Sequence, residues 1–142
     1  MAEVFSGFVI GYAMSLIFTP IVAVWTVRAR SRVPYLAKAI APNISAVMLA
    51  VPISIGAFLA WTLVGMVLGL VYRALRLNLS AAGLGSPNWP FTLGVLLAGL
   101  AFLAIVLYAW QRLPRPVLAL AAAFVGLFGW GMPYLAEVGG RR

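Results

Sequence analysis

The sequence predicts an all-α integral membrane protein whose four transmembrane helices form a compact bundle, with residues 1–142 making a single transmembrane domain. Two observations lead to this fold class. Of the 142 residues, 65% are hydrophobic and only 8% are charged, whereas about 25% charged residues is usual in a soluble domain. The charged residues also divide the chain into four apolar runs, and each is long enough for the roughly 20 residues that a spanning helix needs.

The four predicted helices are defined by the charged residues and by one polar stretch. The stretch from Ser80 to Pro90 is rich in Gly, Ser, Asn and Pro, which is typical of a loop, so the third helix begins after it. The apolar runs are continuous, whereas the strands of a membrane β-barrel alternate polar and apolar residues, so we reject a barrel. In chain order, the predicted helices cover residues 4–27, 44–72, 91–110 and 116–136.

The second predicted helix is longer than a bilayer requires. Residues 44–72 would extend roughly 43 Å at about 1.5 Å per residue, whereas the hydrocarbon core is about 30 Å thick. A helix of this length tilts or bends in the membrane. Pro52 is the expected position of a bend, because proline lacks a backbone donor and crowds the preceding turn.

Several residue types that carry enzyme chemistry are missing. The chain has no Cys, His or Asp, and its only carboxylate side chains are Glu3 and Glu137. Disulfides, His or Cys haem ligation and Ser-His-Asp triads are therefore excluded. A zinc site would have only these two widely separated Glu residues as ligands. We expect a non-catalytic protein with no metal site and no cofactor, and no cofactor-binding residue is predicted. Glu137 is interpreted as a solvated charge at the end of a helix.

Basic residues concentrate after the first predicted helix. No Lys or Arg precedes Arg28, whereas the first loop carries four basic residues. Short basic loops stay in the cytoplasm, so we expect both termini outside, with six basic residues inside and four outside. The six inner residues, which we assign to topology or to contact with lipid headgroups, are Arg28, Arg30, Arg32, Lys38, Arg112 and Arg115.

The net charge of +8 indicates a lipid partner more than a nucleic acid. Nucleic-acid binding needs a continuous basic surface in water, and these charges are divided among short loops. The lipid bilayer, including anionic lipids, is the expected partner. Nine Arg against one Lys favours a microbial source, and we therefore expect a prokaryotic plasma membrane.

Aromatic residues lie near the ends of the predicted helices. Trp25, Tyr72 and Trp110 are expected to anchor the chain at the membrane interfaces, where Trp and Tyr are enriched. Trp61 and Tyr12 lie deeper in the predicted helices. We expect both of them to face another helix.

Small residues recur along one side of each predicted helix. Lipid tails are as apolar as Leu, so helices associate in a membrane through close packing, which small residues permit. We expect most of these residues to lie inside the bundle, and the stripe of the first helix, which is the longest, to face another protein. The predicted packing residues are Gly7, Gly11, Ser15, Thr19, Gly65, Gly69, Gly94, Ala98, Gly126 and Gly129.

Three classes of function are compatible with these observations. The first, which we favour, is an accessory or structural subunit that packs against other membrane subunits through small-residue helix faces. The alternative is a small homo-oligomeric transporter, channel or lipid-handling protein for a neutral or hydrophobic substrate. The third is a membrane enzyme or an electron-transfer subunit that holds a quinone or pigment by packing alone, with Trp61 and Tyr12 as wall residues.

Overall fold

Helices form all the regular secondary structure in the described parts of the chain. The computed structural model describes residues 1–78 and 87–140, without the side chains of residues 77 and 78. The predicted loop from residue 80 lies largely outside these ranges. The elements are α1 (Ala2–Ala29), α2 (Pro34–Ala39), α3 (Ala46–Asn78), α4 (Trp89–Trp110), α5 (Arg115–Phe124), a π-helical segment (Val125–Gly131) and α6 (Met132–Gly140).

Four stretches of the described chain are long and apolar enough to cross a membrane, and each overlaps one predicted helix. This confirms the prediction of an all-helical, multi-pass membrane protein. Most observed helices extend a few residues beyond the predicted ends, because they continue past the charged residues that delimit the apolar runs, whereas α3 begins two residues later than predicted. The four stretches are Ala2–Ala29, Ala46–Arg76, Trp89–Trp110 and Arg115–Gly140.

The second span is the longest helix, as the sequence predicts. At 33 residues, α3 extends roughly 50 Å at about 1.5 Å per residue. Pro52 lies inside it, and the bend expected there stays a prediction. The short helix α2, which begins at Pro34, was not predicted. Proline suits the first helical position, because its fixed φ matches the helix and its missing N–H would be unpaired there.

Local chemistry sets both ends of α4. The Asn88 side chain accepts a hydrogen bond from the backbone N–H of Phe91 at 3.3 Å, which satisfies a donor that the first turn leaves free. At the other end, Gln111 has a left-handed backbone with φ 53°, the conformation that commonly ends a helix. Pro114 then begins the turn into α5.

The fourth span is interrupted by the π-helical segment, which the sequence analysis did not predict. In this segment the Met132 N–H donates to the Leu127 carbonyl five residues earlier, the bonding pattern of a π-helix. The Thr92 hydroxyl of α4 donates to the Gly129 carbonyl at 2.7 Å. This interhelical hydrogen bond joins the third and fourth spans at a buried position.

The helix α1 lies between α3 and the fourth span. It packs along α3 and also contacts α5, the π-helical segment and α6, whereas α4 packs mainly against α5 and the π-helical segment. Contact between α3 and α4 is slight and is accompanied by the rings of Tyr72 and Phe91, whose centroids lie 5.2 Å apart. The fully buried side chains include Met14, Tyr72, Phe128 and Met132.

The backbones of α1 and α3 approach each other most closely at glycines. A Cβ atom added to Gly7 would clash with the carbonyl oxygen of Gly65, and one added to Gly65 would clash with the carbonyl oxygen of Gly7. A Cβ on Gly11 would clash with the Trp61 carbonyl, and one on Gly69 would clash with the backbone at the start of α1. No larger residue fits these positions unless the helices separate.

We therefore expect Gly65→Ala to destabilise the protein. Forcing a methyl group against a backbone carbonyl should lower the free energy of unfolding in detergent by about 1–3 kcal/mol, the usual cost of overpacking. The matched control is Gly56→Ala on the same helix, because a Cβ there meets no atom within 4 Å. The measurement is thermal or denaturant unfolding of the purified chain. Equal stability of the two variants would contradict the close approach.

Candidate functional site

The small-residue stripe of α1 faces the inside of the molecule. Gly7, Gly11 and Ser15 are buried, and the two glycines lie against the backbone of α3. The prediction that this stripe faces another protein is therefore wrong. Its hydroxyl groups also bond within α1, because Ser15 donates to the Tyr12 carbonyl at 2.7 Å and Thr19 to the Ser15 carbonyl at 2.8 Å.

Part of the small-residue surface of α4 faces away from the rest of the chain. Gly94, Ala98 and Ala101 are exposed, and a Cβ added to Gly94 would meet no atom within 4 Å. We call these three residues the α4 outer face. Ala98 also borders a cavity that is described below.

The two predicted packing glycines of the fourth span differ from each other. Gly126 is exposed, with open space where its Cβ would lie. Gly129 is buried, and its Cβ would lie 3.6 Å from Thr92 and 3.7 Å from Val95 of α4. Gly129 therefore belongs to the contact between the third and fourth spans, whereas Gly126 is free to contact lipid or another protein.

At one end of the molecule, a pair of tryptophans brings α1 and α4 together. The indole rings of Trp25 and Trp110 are stacked with centroids 5.6 Å apart. Both Glu3 and Glu137 contact Arg76 at the opposite end of the molecule. The predicted headgroup and topology residues instead lie at or just beyond the ends of α1 and α4 that carry Trp25 and Trp110, and we call this end of the molecule the basic end. Its residues are Arg28, Arg30, Arg32, Lys38, Arg112 and Arg115.

Two adjoining cavities lie at the basic end. The first, which we call the edge cavity, has a volume of about 1140 Å³, and its charged lining consists of Arg28, Arg32, Arg112 and Arg115. The second, which we call the α1–α5 groove, has a volume of about 500 Å³. The two cavities share four border residues and therefore adjoin each other, and together we call them the recess. The shared residues are Trp25, Arg28, Arg115 and Pro116.

The α1–α5 groove is lined mainly by apolar side chains. Beyond the shared border residues, its lining consists of Pro20, Ile21 and Val24 from α1 and Ala119 from α5. Arg30 and Lys38 do not border either cavity among the described residues. The sequence analysis grouped all six basic residues together, whereas the structure separates four that border the recess from two that do not.

Both carboxylates of the chain meet at the opposite end. Arg76 of α3 forms an ion pair with Glu3 of α1 at 3.2 Å and another with Glu137 of α6 at 3.2 Å. Tyr72 donates a hydrogen bond to Glu137, also at 3.2 Å, and the Met1 ammonium group pairs with Glu3. We call Glu3, Tyr72, Arg76 and Glu137 the terminal polar cluster. It joins α1, α3 and α6 at one end of the protein.

Sequence reasoning missed the terminal polar cluster. Glu137 was interpreted as a solvated charge, but its side chain is only 26% exposed and it contacts both Arg76 and Tyr72. Tyr72, which was expected to anchor the chain at a membrane interface, is fully buried within the protein, and its depth in the membrane stays a prediction. A signal for the cluster existed, because the predicted topology puts the chain's two carboxylates and Arg76 at the same membrane surface.

A third cavity lies near the middle of the spans and is almost entirely apolar. Its volume is about 310 Å³, and all four spans contribute to its wall. The aromatic wall residues are Phe18, Trp61, Phe102 and Phe124. Trp61 contacts the Phe18 ring of α1 at a centroid distance of 5.7 Å, so it faces another helix. Tyr12 contacts Phe58 of α3 but does not border this cavity.

Comparison with known proteins identifies no relative of this chain. No family model matches it, and neither a curated protein sequence nor a solved structure shows significant similarity.

The terminal polar cluster leads to a prediction about stability. Arg76→Gln removes the cation from between two carboxylates, so we expect the free energy of unfolding to fall by about 1 kcal/mol, the range of partly exposed ion pairs. The matched control is Arg73→Gln, which makes the same change at an exposed residue one turn earlier. Unfolding of both variants in detergent at low and high salt is the measurement.

Raising the salt concentration provides a further test of the ion pairs, because salt screens exposed charges. We expect the difference between the Arg76 and Arg73 variants to shrink at high salt. If Arg76→Gln were as stable as Arg73→Gln at low salt, the ion pairs would not contribute to holding the three helices together.

Proposed function

We propose that this chain is a non-catalytic accessory or structural subunit of a larger membrane complex. Its four spans would form a bundle, with the second span bent at Pro52. It would bind other membrane subunits through helix faces that carry small residues. The observation that supports this most directly is the open space at Gly94 on the α4 outer face.

Close packing requires small residues on at least one of two facing helices. Within this chain, the small residues of α1 already have a partner in α3, whereas Gly94, Ala98 and Ala101 remain exposed. A neighbouring helix can approach the backbone of α4 closely at Gly94, because a Cβ added there would meet no atom within 4 Å. The α4 outer face is therefore our candidate for contact with another subunit.

The second span provides additional uncovered surface. Only 11% of its most apolar part is buried against the rest of the chain, compared with 33% for the first span. The exposed side chains of α3 include Ile55, Leu59 and Leu63. We assign this surface to lipid, so that the α4 outer face is the proposed contact with another subunit.

We also propose an orientation and a location. The basic end would face the cytoplasm and both termini the outside, because short loops rich in Lys and Arg remain on the cytoplasmic side. The ion pairs of Arg76 with Glu3 and Glu137 are compatible with this orientation, since they bring the two terminal regions to one end. The prokaryotic plasma membrane is the proposed location.

The alternative is a homo-oligomeric protein that handles a neutral or hydrophobic substrate. The third cavity, which lies near the middle of the spans and has a volume of about 310 Å³, supports this alternative, because its aromatic and aliphatic wall is suited to an apolar molecule. In that case the α4 outer face would contact a second copy of the chain instead of a different subunit. The composition of the intact assembly separates the two proposals.

Gly94→Leu tests the proposed contact surface. The added side chain projects into open space within the chain, so the variant should fold, but it would hold a neighbouring helix away. We expect other subunits, which should copurify in a fixed ratio with the unmodified chain, to be reduced at least tenfold with the variant. The measurement is quantitative mass spectrometry of the complex extracted in mild detergent.

The control is Gly56→Leu, which adds the same side chain at an equally open position on α3. It should keep the other subunits, because it leaves α4 unchanged. Full retention of the subunits by Gly94→Leu would contradict the assignment of the α4 outer face. Thermal unfolding of both variants verifies that each one folds.

A further inference from the structure

We propose that the recess at the basic end is a binding site for one anionic phospholipid. One acyl chain would lie in the α1–α5 groove, and the phosphate would lie in the edge cavity between Arg28 and Arg115. This proposal goes beyond the proposed function and does not depend on it, because the recess lies wholly within this chain.

The charge of the edge cavity favours a phosphate group. Four arginines border it, and both carboxylate side chains of the protein pair with Arg76 at the other end. A guanidinium group forms paired hydrogen bonds that match the oxygens of a phosphate. The cavity therefore offers several guanidinium groups that can donate hydrogen bonds to a phosphate. No carboxylate side chain lies beside them to compete for these hydrogen bonds.

The shape of the recess favours a lipid over a free phosphate ion. Arg28 and Arg115 border both cavities, so the charged region lies directly beside the α1–α5 groove. The groove continues along Ile21, Val24 and Ala119, which offer only apolar surface. A molecule that fills both parts must join an anionic group to a long apolar chain, and an anionic phospholipid has this structure.

The depth of the recess also matches a phospholipid. Tryptophans are enriched at the level of the lipid headgroups, and the stacked Trp25 and Trp110 lie on the lining of the edge cavity. Arg28 follows Trp25 by three residues, about 4.5 Å along the helix axis. This offset suits contact between Arg28 and a lipid phosphate, with the groove extending toward the hydrocarbon.

Lipid binding to the purified full-length chain tests the proposal. The chain is delipidated in a non-ionic detergent and titrated with phosphatidylglycerol or with phosphatidylcholine of the same acyl chains, and bound lipid is counted by native mass spectrometry. We expect one phosphatidylglycerol to bind at least tenfold more tightly than phosphatidylcholine. Equal affinity for the two lipids would overturn the proposal.

Two matched pairs of variants locate the binding. Arg28→Gln with Arg115→Gln should weaken phosphatidylglycerol binding about thirtyfold, at roughly fivefold for each basic residue. Arg30→Gln with Lys38→Gln removes the same charge away from the recess and should change the affinity less than threefold. Equal losses of phosphatidylglycerol affinity in the two double variants would mean that the lipid is held by general electrostatic attraction and not by a specific site, which would overturn the proposal.

The second pair tests the acyl chain. Ala119→Phe places a ring in the α1–α5 groove without changing the charge, and it should weaken phosphatidylglycerol binding about tenfold. Ala104→Phe makes the same change at an exposed position of α4 away from the groove and should bind like the unmodified chain. Unchanged binding by Ala119→Phe would show that the groove holds no acyl chain and would overturn the proposal.

Discussion

The close approach of α1 to α3 is the contact on which the rest of the structure depends. Apolar side chains gain little by leaving lipid for protein, so the two helices rely on backbone proximity, which glycine permits at Gly7, Gly11 and Gly65. Because these small residues already have partners within the chain, the proposed contact with other subunits falls to other surfaces. The exposed Gly94 of α4 is the clearest of these surfaces.

The charged residues are distributed unevenly between the two ends of the molecule. At one end, Arg76 forms ion pairs with both carboxylate side chains and ties three helices together. At the basic end, arginines line a recess without any carboxylate side chain. An ion pair between helices stabilises the chain itself, whereas a group of unpaired cations attracts an anion from outside. The two ends therefore have different expected roles, one structural and the other in contact with lipid.

Composition and the spacing of charges were sufficient to predict the four spans, because the length of an apolar run is a local property of the sequence. Which side of each span is buried, and against which helix, depends on the spans that become neighbours. No local sequence pattern identifies that neighbour. The stripe at Gly7 and Gly11 was expected to face another protein, whereas the structure places it against α3. The terminal cluster at Arg76 and the π-helical segment after Phe124 escaped prediction for a related reason, since both involve contacts between distant parts of the chain.

The measurement that tests the proposed role most directly is the mass of the intact assembly, extracted from its native membrane in mild detergent and analysed by native mass spectrometry. An accessory subunit predicts this chain together with different chains in a fixed ratio. A mass equal to one copy of the chain, or to a whole-number multiple of it, would contradict that role.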